Sequence, residues 1–269
     1  IYESKMQVLM VYCFPITRRI KMRVLGLVSV YCKKEFYFPI ASLMLIINTF
    51  IVFIIQSSLW GKILNSNYEF YFALVMFISS FTSFSTERDI AGEYQDGTIS
   101  VQLVKPLPFM SLRLVSDIAQ VLAAFILRAL PVLILLMVWH IDVLYEFRGS
   151  PAQFAVSVLL ASCMSWLLAY TIGIAVVYSG SNEGLIQAKN LIVMLLSGAA
   201  IPYTVFPEAI LNILRFSPFA VLYILPYEAA TQKSNPGIVL TQLFWVTVMF
   251  FVAWGVNRNA MKRIVCAGG

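Results

Sequence analysis

The sequence predicts an all-α, polytopic membrane protein with six transmembrane helices, and three observations carry that expectation. First, 60% of the 269 residues are apolar and 12% charged, with a mean hydropathy of +0.84, where soluble domains carry about 25% charged residues. Second, apolar runs recur that are long enough to cross a hydrocarbon core about 30 Å thick. Third, if alternate connections lie on opposite sides, 14 lysines and arginines fall on one side and 4 on the other, with Arg128 unassigned. That asymmetry puts both termini and the charged insert at residues 86–108 on the cytosolic face.

Residues 16–38 gather Arg18, Arg19, Lys21, Arg23, Lys33 and Lys34 around Leu25, Leu27, Val28, Val30 and Tyr31. Such a stretch suits an amphipathic helix along the inner surface, its cations toward anionic headgroups, or a basic topogenic tail. Met22 is the expected start, which leaves residues 1–21 as an N-terminal extension outside the membrane domain at 22–269.

Span one is expected at 39–60, with Pro39 in the first turn and Trp60 at an interface. Its Asn48 and Gln56 lie eight positions apart on roughly one side, placed either for helix contacts or along a path. Span two, 69–86, is aromatic, short, and closed by serines and threonine. The insert follows, TERDIAGEYQDGTISVQLVKPLP, and residues 110–120 form an amphipathic lead-in to span three at 119–139. That span holds Arg128 and Pro131. An arginine at the centre of a span costs roughly 2.5 to 3.5 kcal/mol on insertion scales, so Arg128 either faces protein or water, or snorkels to the headgroups.

Span four, 153–178, is followed by a polar turn, and Ala169, Gly173 and Gly180 suit close helix approach. Span five is expected at 185–201 and span six at 237–256. Between them Pro202, Pro207, Pro218 and Pro226 forbid one continuous helix. Two short helices are expected instead, joined at Ser217 and Pro218, with Glu208 in the first turn of one.

Several functions are excluded. Cys13, Cys32, Cys163 and Cys266 have no ligand spacing, so neither a disulfide framework nor a zinc site is expected, and His140 is the only histidine. Walker, HExxH, GxSxG and CxxC motifs do not occur, so no catalytic centre or bound cofactor is expected in this chain. The basic residues sit at helix ends, which topology explains without nucleic acid. Glu87, Asp89, Glu93 and Asp96 could suggest acid/base chemistry, but a solvated or contact surface fits carboxylates without a histidine or metal partner. Transport, a channel or a membrane scaffold remain. Carboxylates are absent from the cores of the six spans, which weighs against an ion-coupled carrier.

The residues also carry a resemblance. Glu87, Gly92, Glu93, Asp96 and Gly97, then Leu103, Lys105 and Pro106, stand between spans two and three. Arg128 to Pro131, the run Gly198, Pro202, Phe206, Pro207, Pro218 and Pro226, and the terminal Gly268 and Gly269 follow in order. In this the chain resembles, over about residues 22–269, the permease subunit of ABC transporters of the ABC-2 export type. It departs in the stretch before Met22 and in the shortness of span two.

The resemblance implies two permeases, identical or related, with two cytosolic ATPase subunits that hold the ATP and Mg, in a prokaryotic cytoplasmic membrane. It assigns the amphipathic stretch before span one, within residues 16–38, to an elbow helix and Glu87, Gly92, Glu93, Asp96, Gly97, Lys105 and Pro106 to a cytosolic coupling element. Pro202, Pro207, Glu208, Pro218 and Pro226 would belong to outer re-entrant helices. Charges suit a soluble partner, Gly92 and Gly97 permit tight turns, and Pro106 ends a helix before re-entry. Lipids, hydrophobic drugs, peptides and glycan carriers all fit aromatic-rich spans, so the cargo stays open.

Overall fold

The computed structural model describes residues 39–103, 108–125, 134 and 146–267, and its described secondary structure is helical. The amphipathic segment at 16–38, Lys105, Pro106, Arg128, Pro131 and the two terminal glycines lie outside the described residues. Among the described residues three stretches are long and apolar enough to cross a membrane, Ile46–Leu64, Pro151–Ser179 and Pro236–Ile264.

Helix α1, Pro39–Leu64, runs 26 residues, about 39 Å. Phe53 and Ser57 are buried, whereas Leu43, Met44, Ile51, Ile55 and Ile63 are exposed, as lipid or another apolar surface requires. Asn48 is exposed and Gln56 half-buried, and neither meets a hydrogen-bond partner among the described residues.

Helix α2, Glu69–Thr82, has 14 residues, about 21 Å and short of the bilayer core. It is buried nearly all round, from Phe70 through Met76 and again at Ile78 and Thr82, as expected of a helix without a polar face. Its end has a local cause. Ser79, Ser80, Thr82 and Ser83 donate their hydroxyls to carbonyls three or four residues back, which loosens and bends a helix. The chain then turns extended at Ser83. The expected run at 69–86 is therefore one helix to Thr82 followed by a break, and the next helix starts at Thr86.

Helices α3, Thr86–Gln95, and α4, Ile99–Leu103, form the insert. Gly97 between them has φ +72°, the left-handed conformation that glycine adopts without a Cβ clash. Gly92 makes no turn; it lies inside α3, with open space where a Cβ would stand. Helix α5, Phe109–Ala124, joins the amphipathic lead-in to the start of span three without interruption.

Helix α6, Pro151–Ile174, is the hub, packing against α2, α3 and two later helices, Ile224–Thr231 and Pro236–Ala267. A one-turn helix α7, Val176–Ser179, ends at Gly180 with φ +71°. Gly180 thus serves a turn, while Gly173 serves close approach: a Cβ there would stand 3.0 Å from the Cα of Glu87. Helix α8, Glu183–Leu196, stops ahead of Gly198, whose φ is +87°. A 3₁₀ turn, Tyr203–Val205, and the short helices α9, Glu208–Arg215, and α10, Ile224–Thr231, follow. Helix α11, Pro236–Ala267, closes the fold.

The segment before α6 is strapped to α10, with the amides of Arg148 and Gly149 both donating to the Ala230 carbonyl at 3.0 and 2.8 Å. A Cβ on Gly149 would stand 1.9 Å from the Ala229 carbonyl oxygen, a clash with backbone. Gly149→Ala is expected to cost roughly 2 kcal/mol, read as a lower melting temperature in detergent. Gly92→Ala, where space is open, should match or slightly exceed the parent.

Candidate functional site

The site is the seam where α3 lies across α6. Thr86, Glu87, Ile90 and Ala91 are the buried residues of α3, spaced as one helical face. Ile90, Trp166, Leu167, Tyr170 and Ile174 share a core cluster along that seam. Trp166 stacks on Tyr170 with centroids 5.3 Å apart, and the Tyr170 hydroxyl donates to Asn257 Oδ1 of α11 at 2.7 Å.

Two cations tie α3 down. Arg113 of α5 reaches Asp89 Oδ2 through Nη2 and Glu93 Oε1 through Nη1, both at 2.8 Å. Its Nε is 3.7 Å from Asp117 Oδ1, one helical turn along α5. Asp117 is buried and accepts from Thr86 Oγ1 at 2.9 Å and Trp166 Nε1 at 2.7 Å. Burial pushes the Asp117 carboxyl above its usual range; the Trp166 hydrogen bond, the Arg113 charge and the Thr86 hydrogen bond each pull it back down. One carboxylate of α5 thereby joins α3, α5 and α6.

The second cation is Lys189 of α8, whose Nζ lies 2.6 Å from both carboxylate oxygens of buried Glu87. Asn182, just before α8, donates Nδ2 to the Glu87 backbone carbonyl at 3.0 Å. Glu87 is held at both its side chain and its main chain.

The opposite side of the insert is open. Gln95, Asp96, Thr98 and Ser100 are exposed, and Val101 is 65% exposed. Of the expected residues, Glu87 and Glu93 thus sit at the two cation nodes, Asp96 on the outer surface, and Gly97 at the turn. Glu93 keeps one carboxylate oxygen, Oε2, buried without a hydrogen-bond partner.

The proline-broken segment is built separately. Buried Pro202 precedes the 3₁₀ turn, and Pro207 caps α9, with Glu208 exposed in its first turn. Pro218 lies in the turn at 216–223, while Pro226 is buried in the first turn of α10. Arg215 Nε donates to buried Glu228 Oε1 at 2.8 Å and fastens α9 to α10. Tyr71 Oη donates to the Gly198 carbonyl at 2.6 Å, Trp60 Nε1 to that of Ala200 at 3.0 Å, and Trp245 Nε1 to that of Phe216 at 2.9 Å.

Every buried carboxylate in these nodes has a cation beside it, and among the described residues no group of three or more His, Cys, Asp or Glu could hold a metal ion. The ion pairs fasten α3 to α5 and α8, and α9 to α10. Comparison with family models matches residues 66–268, about three quarters of the chain, to the family described as ABC-2 family transporter protein. The chain belongs to the ABC-2 transporter family. Comparison with curated proteins found no significant match. As an ABC-2 permease, the chain is a membrane-embedded helical transport subunit, and its membership implies partner ATPase subunits and a paired permease.

Sequence reasoning missed Arg113, Asp117, Trp166, Asn182 and Lys189. Part of this carried a signal, because Asp89 and Glu93, and Arg113 and Asp117, are i,i+4 pairs of the kind that share a helix face. Lys189 gave none, standing 102 residues from Glu87.

Proposed function

We propose that this permease is one of two six-span subunits of an ATP-driven exporter, and that α3 and α4 form the element gripped by a cytosolic ATPase. The observation that carries the reading is the two-sidedness of the insert. One face is tied through Arg113 to α5 and through Lys189 to α8; the other presents Asp96 and the apolar Val101 to solvent. A push on the outer face then reaches the helices leading into spans three and five. The charge asymmetry of 14 against 4 supports a cytosolic position for this insert and both termini.

In this reading the elbow segment at 16–38, with Lys105 and Pro106, borders the same ATPase surface. The segment from Pro202 to Pro226 forms the re-entrant outer closure, and Arg128 and Pro131 with Asn48 and Gln56 border the path between the two permeases. An ion-coupled carrier is disfavoured because Glu87, Glu93, Asp117 and Glu228 each stand beside a fixed cation.

The test is a double variant, Asp96→Lys with Val101→Asp, on the exposed side of the insert. Membrane insertion and melting temperature are expected to stay at the parent's values, while co-purification with the ATPase and ATP-driven transport fall by at least about tenfold, as loss of an apolar anchor and a reversed charge predicts. Unchanged co-purification together with unchanged transport would remove the coupling assignment.

A further inference from the structure

The break at residues 83–85 between α2 and α3 opens into a cavity of about 380 Å³, bordered also by α5, α6, α8 and the turn before α10. That is within the range of pockets that hold small ligands. Its lining divides by chemistry. Leu168, Ala169, Val193 and Leu222 are apolar, while Ser83, Ser85 and Ser165 bring hydroxyls and Gln120 and Asn190 bring amides.

Three charged side chains complete the lining, Glu87, Arg88 and Lys189. Two cancel, because Lys189 holds both oxygens of Glu87 at 2.6 Å. Arg88 is exposed and makes no ion pair among the described residues, although its neighbours in sequence, Glu87 and Asp89, are both paired. Ser83, Ser85, Ser165 and Gln120 already donate within the protein, so the cavity is left with the Arg88 guanidinium, the exposed Asn190 amide and an apolar portion. A guanidinium presents a planar fork of donors that matches the oxygens of phosphate.

We propose that this cavity binds a phosphate-bearing anionic headgroup, with Arg88 as its charge partner and the apolar residues against the hydrophobic body attached to it. The Glu87–Lys189 pair borders the cavity, and Arg88 takes part in neither cation node. It goes beyond the coupling assignment and does not depend on an ATPase. The shared chemistry is the phosphate group, which a membrane lipid or the free anion could bring.

The experiment uses the full chain purified in dodecyl maltoside. Native mass spectrometry reads retention of dioctanoyl phosphatidic acid, with dioctanoyl phosphatidylcholine as the zwitterionic comparison. The parent is expected to retain the anionic lipid about tenfold better, and Arg88→Gln to lose about tenfold of that retention, in line with removal of a charge-assisted contact. Arg88→Lys should keep most of it. Asn190→Trp, which narrows the cavity from an exposed position, should lower retention with Arg88 intact.

Lys62→Gln removes an exposed cation outside the cavity lining and should change nothing. Displacement of the lipid by inorganic phosphate would assign recognition to the headgroup alone and admit the free anion; no displacement would assign the site to the lipid. Equal retention by the parent and Arg88→Gln, or an equal loss in Lys62→Gln, would overturn the proposal. No ATPase is present, so a failure here is separate from a failure of the coupling reading.

Discussion

Arg113→Met is expected to destabilise the permease by about 3 to 5 kcal/mol, the usual cost of removing one partner from a buried ion pair. The arginine side chain is 11% exposed and stands among three carboxylates, of which Asp117 is 3% exposed. Methionine fills similar volume, so the loss is mainly electrostatic. Two charges of α3 lose their anchor, and Asp117 keeps only the hydrogen bonds from Thr86 and Trp166. Arg113→Lys should recover less than half, because an ammonium cannot hold Asp89 and Glu93 through separate nitrogens.

The pH dependence provides a second readout. Asp117 already has its carboxyl raised by burial, with Arg113 among the groups that lower it. Removing Arg113 raises it further. A carboxyl whose folded pKa lies above its unfolded value binds more protons when folded, so its contribution falls as pH rises from about 4 toward the folded pKa. The variant's deficit in melting temperature should therefore be larger at pH 8 than at pH 5, and Arg113→Met with Asp117→Asn should flatten that difference. A deficit independent of pH in both variants would show that Asp117 is not the charge left exposed.

The features visible in the sequence were those written in local composition. Apolar runs announced α1, α6 and α11, because a membrane-length helix needs no partner to be recognised. Pro202, Pro207, Pro218 and Pro226 announced the broken segment, because each restricts its own backbone. Gly97 announced its turn, yet that argument failed at Gly92, which lies within α3, and Gly180, expected at a close helix approach, instead ends a helix in the left-handed conformation. Span two looked short without revealing that serine and threonine back-bonding stops its helix at Thr82. The acidic residues of the insert read as a contact surface, and of Glu87, Glu93 and Asp96 only Asp96 is exposed. Glu87 and Glu93 turn inward to cations that fold topology supplies, and composition alone carries no record of that long-range pairing.

Glu87→Gln is the second large effect, about 3 kcal/mol, because it strands Lys189. That side chain is 17% exposed, its partner 7%, and its Nζ is equidistant from the two carboxylate oxygens. A neutral amide leaves an ammonium with one acceptor in place of two anionic ones. The charge-reversed pair, Glu87→Lys with Lys189→Glu, should regain at least half of the lost stability, since Asn182 grips the backbone of residue 87 regardless of its side chain. The same pair separates mechanics from stability. If the ion pair is the link between α3 and α8, ATP-driven transport is lost in either single variant and returns with the swap. Recovery of melting temperature without recovery of transport would show that the ion pair holds the fold but is not the link through which α3 moves α8.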